Sequence, residues 1–285
     1  MNPLEKNPPL FLFRARIAFV LLLLCAAGSP ARADYRSTVL SQNPVGYWPL
    51  NETVQPPPQP VYATNLGTFG PAINGPLQNG VIRGEPGVLA GTSDTCERFT
   101  NPTWSIFTVG SYVNVPYTPA LNPDGPFTVE FWAKPTSRPN DVFATVCSLD
   151  TSTNAGNSRE GYVFYIDGPG SGWQFRLGNY SGYPAVASGG SFTPNTWSHV
   201  VGSFTGSSLV LYVNGDQVAV TNFNGADFTP NTSAHFNIGM TTFPNRTFDG
   251  WIEEVAFYTN VIDAATVKAH FDAATTNGPG YAAQV

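Results

Sequence analysis

Hydrophobic and polar side chains alternate with a period of two along several short stretches of this chain. Phe127, Val129, Phe131 and Ala133 interleave with Thr128, Glu130, Trp132 and Lys134, the spacing that sends successive side chains to opposite faces of a strand. Pro135 closes that stretch, since it lacks the N–H a ladder needs. Leu209–Val213 and Asp216–Val220 flank Asn214-Gly215, a pair that tolerates the positive φ angles of a two-residue hairpin turn. Similar stretches at 142–149, 162–166, 173–177, 199–204, 236–240 and 251–258 supply enough strands for two packed antiparallel sheets. The segment from Gln55 to Gly91, with Pro56, Pro57 and Pro58, reads as loops with one or two short strands. One short helix is predicted near the end. Asp263 caps it, Ile262 and Val267 are spaced as a hydrophobic staple, and Val267, Phe271 and Ala274 share a face. Beyond it the chain loses periodicity at Asn277-Gly278-Pro279-Gly280, and residues 275–285 are expected to form a flexible tail.

Composition supports the all-β reading, because 28 Gly and 26 Pro in 285 residues leave few windows able to sustain a helix. The N-terminus has a separate meaning. Arg14 and Arg16 precede an apolar run from Ile17 to Ala27, and Ala31-Arg32-Ala33 supplies a small-x-small cleavage pattern. Residues 1–33 therefore read as a cleaved signal peptide, and the exported chain starts at Asp34. The bulky Leu24 before Cys25 argues against a lipid-modified cysteine. No later stretch approaches the roughly 18 apolar residues of a membrane helix, so no membrane insertion of the mature chain is expected.

Removing residues 1–33 takes away four of 13 Lys+Arg and one of 19 Asp+Glu, leaving nine basic against 18 acidic side chains. So acidic a surface, with no local basic cluster in the sequence, excludes nucleic acid as a partner. Residues 34–274 are read as one domain. With Cys25 removed, Cys96 and Cys147 remain, an even number in an oxidising compartment. A bridge between them would close a loop of about 50 residues and stabilise the fold by about 4 kcal/mol; two separate buried thiols are the alternative.

Several motifs together resemble a known family. They are Pro44–Glu52 (PVGYWPLNE), Ser111–Pro116 (SYVNVP), Phe127–Pro135 (FTVEFWAKP), Trp197–Val201 (WSHVV), Leu211–Gly215 (LYVNG) and Phe248–Tyr258 (FDGWIEEVAFY). In this order, with a short closing helix, they are similar to bacterial laminin-G-like, concanavalin A-like jelly-roll domains. The resemblance implies a two-sheet antiparallel β-sandwich that binds glycans or proteins, in some members through calcium. Calcium-binding members carry Asp in an early Asp-Ser-x-Gly loop and in a Gly-x-Ile-Asp-Glu strand. The corresponding residues here are Asn65 and Glu253, so one charge is lost and the other moves outward by a methylene.

Catalytic machinery is not evident. A retaining glycosidase needs two carboxylates about 5–5.5 Å apart, and no Glu-x-Asp-x-Glu run supplies them. Glu253 and Glu254 are adjacent and, by alternation, point to opposite faces. His199, His235 and His270 are dispersed without zinc spacing, and each is read as structural. Trp48, Trp132, Trp197 and Trp251 lie in strands and are assigned to packing. Trp104, Tyr180 and Tyr183 fall in Gly-, Ser- and Pro-rich stretches and are the candidate ligand-contacting cluster; the alternative is loop aromatics folded onto the sandwich edge. The expected function is extracellular, non-catalytic recognition of a glycan or a surface protein. A structural or adhesion spacer of a surface assembly is the alternative, and a glycan-active hydrolase or lyase the third reading.

Overall fold

The computed structural model describes residues 34–53, 61–89, 92–151, 158–170, 172–241 and 245–276. Residues 1–33, the expected signal peptide, and residues 277–285 lie outside them. The described residues form two antiparallel sheets packed face to face, with a helix near each end of the described chain. In chain order the elements are α1 (Tyr35–Ser41), β1 (Gly46–Trp48), β2 (Tyr62–Ala63), β3 (Gly75–Gln78), β4 (Ile82–Pro86) and β5 (Thr95–Phe99). Next come β6 (Tyr112–Val115), β7 (Phe127–Pro135), β8 (Val142–Asp150), β9 (Glu160–Asp167), β10 (Gly172–Asn179) and β11 (Gly182–Gly189). The last are β12 (Ser198–Phe204), β13 (Ser208–Val213), β14 (Asp216–Asn222), β15 (Phe236–Ile238), β16 (Gly250–Tyr258) and α2 (Ala264–Thr276).

The first sheet runs β14-β13-β12-β7-β16-β5-β4, with β1 also pairing β16; the second runs β11-β10-β9-β8-β15-β6-β3-β2. The hairpin at Asn214-Gly215 has φ 55° and 83°, as its turn chemistry requires. The alternation of β7 decides what faces what. Phe127, Val129, Phe131 and Ala133 join the main core between the sheets, whereas Trp132 belongs to a second cluster on the outer face. Space between the sheets is tight: a Cβ on Gly202 of β12 would lie 2.4 Å from Phe164 of β9, so the central strands approach closely only because that position is bare.

Two differences from the sequence reading, and one alternative that it left open, have physical causes. First, α1 was not foreseen. Its cap, Asp34, accepts a hydrogen bond from the Ser37 amide at 2.8 Å, and its Tyr35 and Val39 pack with α2 against the outer face of the first sheet. Second, Cys96 and Cys147 are free thiols and not a disulfide. Cys96 lies in the outer cluster of the first sheet and Cys147 in that of the second, so the whole core separates them. Third, α2 runs to Thr276, past the residue 275 at which the tail was expected to begin.

Candidate functional site

Two buried carboxylate pockets lie under the helices, and one open face remains on the second sheet. Glu130 points outward from β7 and is fully buried. Tyr35 of α1 and His199 of β12 donate to its Oε1 at 2.7 and 2.8 Å. Tyr258 of β16 donates to Oε2 at 2.9 Å, and His270 Nδ1 of α2 lies 2.9 Å from the same oxygen. Opposing its burial, the interactions with His270 and His199 hold the Glu130 carboxyl well below its usual range. Burial pushes His199 down, whereas interaction with Glu130 lifts His270 despite burial. Four elements are thus stitched to β7 through one carboxylate.

The second pocket arises where alternation fails. β16 carries a register shift between Glu253 and Ala256, and Glu254 adopts φ 55°, the geometry of a β-bulge. The bulge turns both Glu253 and Glu254 to the outer face, which corrects the expectation that they point apart. There they meet Asp94, with carboxylate oxygens of all three within 4.8 Å of one another. Arg36 of α1 pairs with Glu254 at 2.9 Å and with Asp94, and Tyr47 donates to Glu254. Glu253 Oε1 accepts from the Val88 amide, but Glu253 Oε2 and Asp94 Oδ2 have no donor among the described residues. Burial and then Asp94 push Glu253 well above the usual carboxylate range; burial pushes Glu254 up to about 8 despite Arg36.

This pocket bears on calcium. Asn65, the other expected ligand, is spent elsewhere. Its Oδ1 accepts from the Tyr47 and Gly67 amides at 2.6 and 3.0 Å, and its Nδ2 donates to the Gly70 carbonyl at 2.9 Å. The residues that gather with Glu253 are Asp94 and Glu254. Their donors are all hard oxygens, and two of these are buried acceptors without a partner. A Cβ on Gly87 would come within 2.7 and 2.8 Å of those two oxygens. Such a set fits calcium, with one guanidinium against three carboxylates.

The structure does not bring the three candidate aromatics together. Trp104 is core: it is 6% exposed, packs edge-on against Phe143 and Phe248, and donates from Nε1 to Ser137 at 2.8 Å. This corrects its assignment to a ligand site, because its ring fills the end of the sandwich although its loop is polar. Tyr180 is exposed at the β10–β11 turn. Tyr183 packs on the outer face of the second sheet, with its hydroxyl 3.4 Å from that of Tyr165.

That outer face has no helix on it among the described residues. It presents Gln174 and Arg176 of β10, Tyr165 of β9, and a polar cleft at β6 and β15. The cleft has a volume of about 340 Å³ and is lined by Tyr112, Asn114, Asp150, His235, Asn237 and Met240. His235 Nδ1 lies 2.7 Å from Asn114 Oδ1. Asn237 is 1% exposed, and its Oδ1 has no donor among the described residues. Sequence reasoning missed this group because Tyr112, Asn114 and Asn237 sit in ordinary strand patterns, and only the pairing of β6 with β15 sets Asn114 beside Asn237.

A two-sheet sandwich with one face sealed by helices and one polar face open defines a lectin-type jelly roll. The chain belongs to the concanavalin A-like lectin/glucanases superfamily, whose family model matches residues 107–268. No curated protein matches it. Among solved structures it is similar to domain 4 of AbnA, an extracellular arabinanase of Geobacillus stearothermophilus, solved in complex with arabinotriose. That likeness has 17% identity and TM-score 0.54, and covers 81% of this chain and 98% of the other. The binding domain of botulinum neurotoxin DC, solved with SialylT, matches at 12% identity and TM-score 0.57, over 82% and 52% of the two chains. Trypanosoma rangeli sialidase matches at 15% identity and TM-score 0.55 over 83% of this chain, which spans only 33% of the enzyme. At these identities the likeness is one of fold. Among the described residues no helix is long and apolar enough to cross a membrane.

Proposed function

We propose that this protein is an extracellular, non-catalytic recognition module that binds a glycan on the outer face of the second sheet. The observation that carries the reading is the open polar cleft at β6 and β15, lined by exposed His235 and half-buried Tyr112 and Asn114. Amide and imidazole groups beside an aromatic ring suit a sugar, which offers hydroxyls next to an apolar ring face. Binding without chemical change is supported by the placement of the acid–base groups. Glu130, His199, His270, Glu253 and Glu254 are all 0% exposed, so no substrate bond reaches them. The matched arabinanase domain and neurotoxin binding domain, both solved with glycans, lend the reading support by fold. Calcium in this proposal is structural: held by Asp94, Glu253 and Glu254, it would fasten Asp94 to β16 beside the Val88 contact.

The test is a glycan-array screen of the purified protein with and without calcium, followed by titration of the hits. Asn114→Ala and Tyr112→Ala are expected to weaken binding by about tenfold each, one net hydrogen bond or ring contact. Binding unaffected by either change would remove the cleft from the proposal. The scatter of Trp104, Tyr180 and Tyr183 favours a second reading, a spacer without a small ligand; an array on which the folded protein stays silent would establish it over the first.

A further inference from the structure

Arg176 is a basic residue whose surroundings the fold leaves incomplete. Its guanidinium carbon lies 4.9 Å from the ring centre of Tyr165 and 5.1 Å from that of Tyr183. Its Nε donates to Gln174 Oε1 at 2.8 Å, and Nη2 donates to the same oxygen. Gln174 is held in turn, donating from Nε2 to Asp167 Oδ2 at 2.6 Å. Among the described residues Arg176 has no carboxylate partner and its Nη1 has no hydrogen bond. Arg36, Arg98 and Arg246 reach carboxylates, and Arg83 and Arg138 end on backbone carbonyls; Arg176 differs from all of these in being held by a side-chain amide and two rings. Of five N–H donors on a guanidinium, two go to Gln174. The three that remain are one on Nη2 and both on Nη1, enough to take a carboxylate end-on.

Burial raises both phenols, and Arg176 draws the Tyr183 value back. Arg246 is already paired with Asp141, so the cation stacked on both rings is Arg176, in a chain carrying twice as many acidic as basic residues beyond Ala33. A cation that is merely structural has its best partner in an acidic protein close at hand. Arg176 is instead gripped by a neutral amide and two aromatic faces, which fix its orientation without neutralising it.

We infer that the glycan bound on this face is anionic and that Arg176 anchors its carboxylate. The inference rests on the glycan-binding reading and narrows its ligand class. A uronic acid and a sialic acid both present such a carboxylate, and they form the two arms of the test. Trigalacturonate is titrated against its carboxyl-reduced neutral counterpart, and sialyllactose against lactose, by calorimetry at low and high salt. In at least one arm the wild-type protein is expected to prefer the acidic member on the order of tenfold, with the preference shrinking as salt rises. Arg176→Gln is expected to erase the preference while keeping the neutral-sugar affinity, and Arg176→Lys to restore part of it. The wild-type comparison of acidic with neutral ligand needs no variant to fold. Equal binding of both members in both arms, with neutral binding intact, overturns the anionic assignment and leaves the glycan reading standing. Binding of no saccharide at all overturns both.

Discussion

Glu130 and Glu253 are both fully buried carboxylates on the outer face of the same sheet, on neighbouring strands, yet their surroundings could hardly differ more. Glu130 receives two phenols and two imidazoles and is held in its charged form. Glu253 receives one backbone amide on one oxygen, none on the other, and faces Asp94. The difference teaches that burial alone does not set the state of an acid: the count of donors does. The first pocket gives its carboxylate a full set of donors, with only the far ring nitrogens, His199 Nδ1 and His270 Nε2, left without a partner among the described residues. The second sets one guanidinium against three carboxylates and is short of a further positive charge or a proton.

The largest expected effect follows from breaking the first pocket. Glu130→Ala leaves two imidazoles and two phenols without their shared acceptor and should cost about 3–5 kcal/mol, read as a fall in the denaturant midpoint. Next comes calcium, which should raise the melting temperature of the wild-type protein by about 2–4 °C for each 1 kcal/mol of linkage. Glu253→Gln should abolish that gain, and a gain that survives it would place the ion elsewhere.

The pH profile sharpens the contrast further. Glu130 has a depressed pKa in the folded state, so its contribution is complete above the ordinary carboxylate range and is lost as pH falls through the depressed value. Glu253 and Glu254 have raised values, Glu254 about 8, so the folded state holds their protons more tightly than the unfolded chain. Their contribution is present at acid pH and is lost as pH climbs from about 4 toward 8. His270, also raised, adds to the loss as pH rises through its folded value. Without calcium, stability should therefore decline from weakly acidic to weakly alkaline pH, and Glu253→Gln should flatten that limb while leaving the acid limb unchanged. The smallest effect concerns the thiols. Reductant should not move the melting temperature, and Cys96 and Cys147 should react with a thiol reagent only on unfolding; burial pushes the Cys147 thiol up to about 12.

What was legible in the sequence was whatever repeats locally. The β7 alternation, the Asn214-Gly215 turn and the Asp263 cap each depend on residues within one element, and each appears in the structure where the pattern puts it. The Glu130 pocket was not legible, because its partners lie 69, 95, 128 and 140 residues away and no local pattern ties them together. The second pocket was misread for a sharper reason. Period-two reasoning is sound until one residue enters a left-handed conformation, and at Glu254 nothing in Gly-Trp-Ile-Glu-Glu-Val announces it. Trp104 shows the converse error: a polar loop sequence said nothing of where its one large ring would lodge.

The stitching of Glu130 also imposes an order on how the molecule is made. Its last partner, His270, is synthesised 140 residues after it, and α2 must arrive before the carboxylate is fully satisfied. Until then the emerging sheet carries an under-coordinated negative charge on a face that cannot close, so the β7 layer should stay loose through most of translation. Docking of α2 would then act as a late, long-range latch, with folding slowed by the wait for distant contacts and the nascent chain open to proteases until the latch engages.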